Sequence, residues 1–422
     1  MNNKLICVFL LFLFIPCFLR AAEVSLDIQE AVGLALRQNR DIALQSQQVM
    51  KAKAKIKEAQ AGLLPALSVS QTFMLVRGAY GKDFSNLTGQ ATIKQKIYTG
   101  GLVTNTIKYN GIDFQIQEAL LDKANMDTAW AVKKAFYALV LSAKLKTLNQ
   151  KILENTQKHL DYLQARYQNG QASESEIIKL ESSLSGVKKE YEVSLNQEEQ
   201  ARHILTNLLV ISSDVIIKPQ GDFVYNPRQA AFDEALLEAV KNRPEVRQYR
   251  LGEKAAQVNV DLNRAGNKPT VYASWDYYNS SHAAAGTSKN WQDSNILGIT
   301  FSWPIFDGGL TKAKIEEALV DLKKAQILKD KIISDIGLEL KEAYLNLKSS
   351  LWRVEAADQD ARAYKDNLSV VNAKYKQGLA STLDEDDALL KYEIANFNYE
   401  QAVYGYLTAR EDFNKATGSS EI

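Results

Sequence analysis

Ile97-Tyr98-Thr99-Gly100-Gly101-Leu102 and Ile305-Phe306-Asp307-Gly308-Gly309-Leu310 are two writings of one motif, 208 residues apart. The same offset pairs Ala135-Phe136 with Ala343-Tyr344. It also pairs Tyr167-Gln168-Asn169-Gly170-Gln171-Ala172-Ser173 with Tyr375-Lys376-Gln377-Gly378-Leu379-Ala380-Ser381. Upstream the offset is 204: Ala61-Gly62-Leu63-Leu64-Pro65 returns as Ala265-Gly266-Asn267-Lys268-Pro269, and Glu30-Ala31 as Glu234-Ala235. One four-residue insertion between Pro269 and Phe306, assigned to about Asn279 to Asp293, reconciles the two offsets. Matches held in register over this length mean that one unit is written twice. The expected units are residues 23–210 and 232–418, joined by a linker at 211–231 that carries the turn signals Pro219-Gln220-Gly221 and Asn226-Pro227.

Each unit has the same order of elements. An amphipathic helix comes first, Leu26 to about Ala61 in the first unit, with a break expected near Asn39-Arg40 and a stop at Pro65. Two strands follow, within about 66–98 and about 270–306. In the last of them Leu297, Ile299, Phe301, Trp303 and Ile305 share one face, and Gly298, Thr300 and Ser302 the other. In the second, Thr88, Gln90, Thr92, Lys94 and Lys96 form a polar face. Apolar-out and polar-in suits a barrel wall in lipid around water, although a soluble sandwich alternates too. A proline-free helix then runs over 101–168, and over 309–376 in the twin. At about 1.5 Å per residue it is roughly 100 Å long. Gly111 is its one soft spot, and the twin has Leu319 there. Turns at Gly170 and Gly378 start the return helices, 172–208 and 381–416.

Heptad spacing sets the packing. Leu153, Thr156, Leu160, Leu163 and Tyr167 form one line on the long helix. Leu141, Leu145, Leu148 and Ile152 form a second, which turns polar at Asn155 and His159. Two seams on one helix mean neighbours on two sides, as in a tube wall. The return helix covers half of the long helix, and the helix before the strands covers much of the rest. Each unit therefore supplies two helical staves and two strands. Four strands cannot close a barrel with a lumen, and an open sheet in lipid leaves unpaired edges. Several chains must share one barrel, and three chains, giving 12 strands, leave a useful channel.

Composition narrows the class. Lys4, the apolar run Leu5 to Leu19, and Ala21-Ala22 read as a secretory signal peptide over residues 1–22. Cys17 raises a lipoprotein alternative, but Phe14-Ile15-Pro16 lacks the small residues that processing requires. Both cysteines, Cys7 and Cys17, lie in this segment, so no disulfide is expected in the mature chain. Removing Lys4 and Arg20 takes the net charge from +1 to −1, which points to no nucleic-acid partner. No later apolar run reaches 18 residues, so any membrane crossing must use strands. His159, His203 and His282 are scattered; no metal site, cofactor or enzyme activity is expected.

Ala61-Gly62-Leu63-Leu64-Pro65, Trp303-Pro304-Ile305-Phe306-Asp307-Gly308-Gly309 and Lys374-Tyr375-Lys376-Gln377-Gly378-Leu379-Ala380-Ser381 resemble the TolC-like outer-membrane efflux proteins. With the duplication, the resemblance covers nearly all of the mature chain. It implies a homotrimer in outer-membrane lipid, with a 12-stranded β-barrel continuing into a periplasmic α-barrel of 12 helical staves that tapers to a closed tip. It also implies a passive exit duct, for efflux or type I secretion, working with a periplasmic adaptor and an inner-membrane pump of RND or ABC type. Asp384 and Asp387, six and nine residues after Gly378, match the family's aperture aspartates. The alternative for them is a capped helix start after Ser381. Tyr375 matches a tyrosine that latches the closed tip, with Glu176 and Ser175 as expected partners; Glu176 also suits a capping box with Ser173. Where some members carry a latching arginine, this chain has Ala380. Gly170 and Gly378 mark the tips expected to meet the adaptor. The rival architectures are a periplasmic coiled-coil adaptor, or a structural protein of an envelope-spanning export complex, and a trimeric surface adhesin. An adaptor has one hairpin, and the adhesin's strands lie after a single helix at the C-terminus.

Overall fold

The computed structural model describes residues 23–79, 82–212, 215–227, 231–284 and 290–419. The expected signal segment at 1–22 and the centre of the insertion, 285–289, lie outside the described residues.

Strand β1 (Glu23–Leu26) leads into helix α1 (Ile28–Gln38) through Asp27, which forms a capping box with Glu30. Helix α2 (Arg40–Ala61) starts at once, because Asn39 ends α1 and its Oδ1 accepts from the Asp41 amide at 2.8 Å. Strands β2 (Ala66–Ala79) and β3 (Lys82–Tyr98) follow. Next come the 67-residue helix α3 (Leu102–Gln168) and the 36-residue helix α4 (Glu174–Leu209). Strand β4 (Ile216–Pro219) lies in the linker. The second unit repeats the plan with α5 (Phe232–Asn242), α6 (Pro244–Arg264), β5 (Thr270–Ala284), β6 (Asn290–Ser302), α7 (Leu310–Lys376) and α8 (Thr382–Thr417). Helices α7 and α8 again have 67 and 36 residues.

The sequence reading starts its first helix at Leu26, but Leu26 ends β1, which pairs in parallel with β4 from Glu23↔Ile216 to Leu26↔Pro219. The last strand stops at Ser302 rather than continuing through Trp303 and Ile305. Pro304 has no amide hydrogen to give a ladder.

The four long strands form one antiparallel sheet in the order β2-β3-β5-β6. Its register aligns Leu67, Ile93, Trp275 and Leu297 across one face, and all four are exposed. The adjoining row on the other face is Ser68, Thr92, Asp276 and Ile296. There Asp276 accepts hydrogen bonds from Thr92 Oγ1 at 2.6 Å and Gln90 Nε2 at 3.3 Å. The outer edges of β2 and β6 pair with no other strand among the described residues.

Strand gives way to helix at glycine pairs. Gly100 and Gly101 have φ of 63° and 94°, and Gly308 and Gly309 have 68° and 89°, which L-side chains adopt at a cost. At Gly100 a Cβ would also come within 2.7 Å of Lys268 Cβ. Below the sheet α3 packs against α2 and then α4 on one side, and against α6 and then α8 on the other. Helix α7 packs on α6 and α8. The short helices stack end to end: Asn39 Nδ2 donates to Leu208 O at the α4–α1 meeting, at 3.4 Å.

The apolar core is concentrated at mid-length. One cluster gathers Val32, Val132, Leu139, Leu205, Leu209 and Ile217; the other gathers Val246, Ile336, Leu340, Val403, Tyr406 and Leu407. Tyr137 and Phe223, rings 6.2 Å apart, join them. A buried charge network lies beside the second cluster. Arg243, between α5 and α6 and only 4% exposed, forks onto Glu245 at 2.9 and 3.2 Å and reaches Glu339 on α7 at 2.6 Å. Lys123 on α3 lies 3.7 Å from the same Glu245.

Candidate functional site at the helical tip

The end of the molecule far from the sheet is two hairpin turns built alike. Helix α3 ends in a turn where Gly170, φ 68°, donates to Tyr167 O at 2.9 Å and Gln171 N to Arg166 O at 2.9 Å. Helix α7 ends identically: Gly378, φ 70°, donates to Tyr375 O and Leu379 N to Lys374 O, both at 2.9 Å. Crossed bonds around a left-handed glycine close a helix and satisfy its last carbonyls. Each return helix then opens with a capping box, Ser173 with Glu176 and Ser381 with Asp384.

The boxes decide where the predicted residues stand. Glu176 Oε2 accepts from the Ser173 amide at 2.8 Å and from its hydroxyl at 2.9 Å. Asp384 Oδ2 accepts from the Ser381 amide at 2.9 Å and its hydroxyl at 2.7 Å. The Ser173 amide bond, then the hydroxyl bond, hold the Glu176 pKa below its ordinary value, and Ser381 does the same for Asp384. Both groups therefore stabilise the native turns above the ordinary carboxylate pKa, and this is lost as pH falls through the lowered folded values. The amides of Glu176 and Asp384, which donate to the serine hydroxyls, are expected to lose hydrogen-exchange protection as the pH falls below the ordinary carboxylate range. Protection that is flat over this range would mean the boxes do not hold the turns.

Tyr375 and Glu176 share no hydrogen bond within one chain. The Tyr375 hydroxyl instead accepts from Thr382 Oγ1 of its own hairpin at 3.5 Å. Ser175 is exposed. Asp387 turns towards α3, where His159 Nε2 lies 3.4 Å from its Oδ1. Asp384 stays exposed on the turn. The two aspartates thus have different neighbours in the single chain. The sequence reading missed the His159–Asp387 pair, because it needs α3 and α8 side by side. Its one legible trace is His159 closing a heptad line that starts apolar. No group of three or more His, Cys, Asp or Glu suited to a metal occurs among the described residues. No helix there is long and apolar enough to cross a membrane.

Residues 31–209 and 235–419, the two units in turn, match the family described as "Outer membrane efflux protein". The chain belongs to the outer membrane efflux protein family. Its relatives include outer membrane protein TolC of Escherichia coli K12, 22% identical, with 86% of this chain and 76% of TolC aligned. The alkaline protease secretion protein AprF of Pseudomonas aeruginosa is 20% identical, over 90% of this chain and 84% of AprF. In fold the chain is similar to the CmeC outer membrane channel of Campylobacter jejuni, with a TM-score of 0.76, 18% identity, and coverage of 94% and 87%. As a member of the outer membrane efflux protein family the chain is an outer-membrane channel for efflux or secretion, a transport protein and not an enzyme.

Proposed function

We propose that three copies close one duct, with a 12-stranded barrel in the outer membrane and a tube of 12 helical staves reaching into the periplasm. The observation that carries this is the four-stranded sheet, which bears an exposed apolar row and two outer edges that pair with no other strand among the described residues. In lipid every backbone group needs a partner, so β6 of one copy must pair with β2 of the next. The helical layer fits the same closure. Helix α7 exposes Leu319, Val320 and Ile327 at 44%, 68% and 58%, and α2 exposes Leu44 and Met50 at 66% and 61%. These apolar faces suit a meeting of α7 with the α2/α4 edge of a neighbour.

The duct is passive and gated at its periplasmic tip. Gly170 and Gly378 present the turns to the helical hairpins of a periplasmic adaptor, which links the duct to an inner-membrane pump of RND or ABC type. Asp384 and Asp387 from three chains line the aperture and favour cations. Tyr375 meets Glu176 and Ser175 across the tip once the copies assemble, and holds it shut in place of an arginine at Ala380.

Planar-bilayer conductance of the detergent-extracted protein, with crosslinking to count chains, tests this. A trimer with small, cation-selective currents is the expected result. A monomer or dimer with no current would remove the shared barrel. Replacing Asp384 and Asp387 with alanine is expected to relax cation preference more than it raises closed-state conductance. Unchanged reversal potentials would take both residues out of the pore lining.

A further inference from the structure

The polar face of the sheet gathers its charges at one level. Along that face, from Thr270 to Ser280 on β5 and across the residues paired with them, the charged side chains are Lys94, Lys96 and Asp276. Lys94 and Lys96 are two residues apart at the helix end of β3, so their side chains leave the same side of the strand about 7 Å apart. Duplication does not account for them. At the 208-residue offset Lys94 corresponds to Ser302 and Lys96 to Pro304. A neutral polar residue satisfies the alternation there, and the two lysines are particular to the first unit.

The acid on this face is occupied elsewhere. Asp276 stands one row further from the helices, opposite Thr92. It accepts from Thr92 Oγ1 at 2.6 Å, Ser274 Oγ at 3.2 Å and Gln90 Nε2 at 3.3 Å. Neither lysine is ion-paired among the described residues. Lys94 Nζ instead lies 4.5 Å from the centre of the Tyr272 ring, and Tyr272 is the residue opposite Lys96. An aromatic face therefore serves both lysines without cancelling their charge. The residues level with Lys94 are small: Ala66, Ser274 and Gly298. A Cβ added to Gly298 would meet no side chain nearer than Ser274 Oγ at 3.9 Å, so the ammonium groups have open space beside them. The ladder also slips between Lys96 and Tyr98, an irregularity of the kind that re-aims side chains.

We infer that Lys94 and Lys96, with Tyr272, form an anion site on the lumen wall at the periplasmic end of the barrel. Three copies make it a ring of six ammonium groups, of which three Asp276 carboxylates offset half the charge. Its ligand is a polyvalent anion bearing several phosphate or sulfonate groups. A water-filled lumen with low-dielectric walls focuses the field of such a ring on passing solutes. A monovalent anion meets one lysine pair at a time, whereas a polyvalent one engages the pairs of neighbouring copies together. This rests on the duct reading above and adds a class of solute that the barrel retains. The ring is opposite in sign to the aspartates at the tip, so the two ends of the duct select differently. The anion comes either from the tip, as cargo, or from outside the cell.

Titration calorimetry of the detergent-extracted trimer with inositol hexakisphosphate reads the site whether or not the tip opens. The parent is expected to bind this probe at about 0.1 M salt, and to lose it at about 1 M, where screening shortens to about 3 Å. Lys94→Gln/Lys96→Gln is expected to weaken binding about tenfold, and Lys94→Arg/Lys96→Arg to keep it. Should the double glutamine variant form no trimer, each single glutamine variant is expected to show part of the loss. In bilayers the probe should reduce the current of the parent and leave that of the double glutamine variant unchanged. Block from the barrel side alone identifies an anion entering from outside; block from the tip side as well identifies cargo. A parent trimer that does not bind the probe, or glutamine variants that bind it as tightly as the parent, would overturn the site. A parent protein that forms no trimer and passes no current would overturn the duct instead.

Discussion

Arg243→Met is expected to cost about 3–5 kcal/mol of stability, the penalty for leaving a buried acid without its partner. Glu245 is the acid in question, at 7% exposure. Burial pushes its pKa up, and the Arg243 guanidinium more than reverses this and holds it low. Arg243 itself is raised, with the Glu245 and Glu339 carboxylates outweighing its own burial. Methionine keeps most of the volume and removes the charge. The Lys123 ammonium, 3.7 Å from Glu245, is too distant to replace a bidentate fork. Urea unfolding followed by helical circular dichroism would read the loss. Adding Glu245→Gln should recover much of it, because an amide is cheaper to bury than an unpaired carboxylate. The pH dependence carries the same signature. In the parent, the Glu245 contribution is present above the ordinary carboxylate pKa and is lost as pH falls through its lowered value. In Arg243→Met the order inverts, since an unpaired buried carboxyl titrates high and the variant should gain on the parent in acid. A variant as stable as the parent at neutral pH would mean that Glu245 finds water or Lys123 in time to escape the penalty.

The second large effect is on the sheet. Ile299→Lys is expected to abolish stable trimers in the membrane, whereas Thr300→Lys, one residue along, is expected to be tolerated. Ile299 is 76% exposed and shares the outward row with Ala273 opposite it. A lysine on the lipid face costs about 2–4 kcal/mol at the bilayer midplane. In the proposed barrel of three copies it is incurred three times. Thr300 points to the polar face, where a charge meets water. Electrophoretic mobility of unheated and heated samples would separate the outcomes. If Thr300→Lys were the damaging change, the sheet would face the other way and its polar side would be packed.

Much of this architecture is written in the chain in a form that can be read directly. The long helices carry no proline, start at paired glycines and end at single ones, so their limits follow from backbone chemistry alone. The strands show in their alternation. The β1–β4 pair does not show, because four residues give no periodicity and the partner strand is nearly 200 residues away. Arg243 is similarly opaque. It occupies the position that Asn39 holds in the first unit, 204 residues earlier, and both sit at a break between two helices. Asn39 caps the next helix with its own side chain, whereas in the second unit Pro244 opens the helix and Arg243 is free to bind acids from α6 and α7. A charged residue at a helix junction reads as surface until the neighbouring elements are placed. The tip illustrates both cases. Its glycines and capping boxes are local and legible, but the partners of Lys158, His159 and Asp387 depend on which helices become neighbours.

The parallel pairing of β1 with β4 closes a loop of nearly the whole first unit, with Ser25 and Lys218 in contact across 193 residues of chain. That closure imposes an order on biogenesis. A chain delivered from its N-terminus holds Glu23–Leu26 unpaired until Ile216–Pro219 has emerged. Only then does the first unit become a closed circuit, with the second still to come. The first unit still awaits its copy at that point, because β3 pairs with β5, and α3 packs on α6 and α8, only when the second unit has followed.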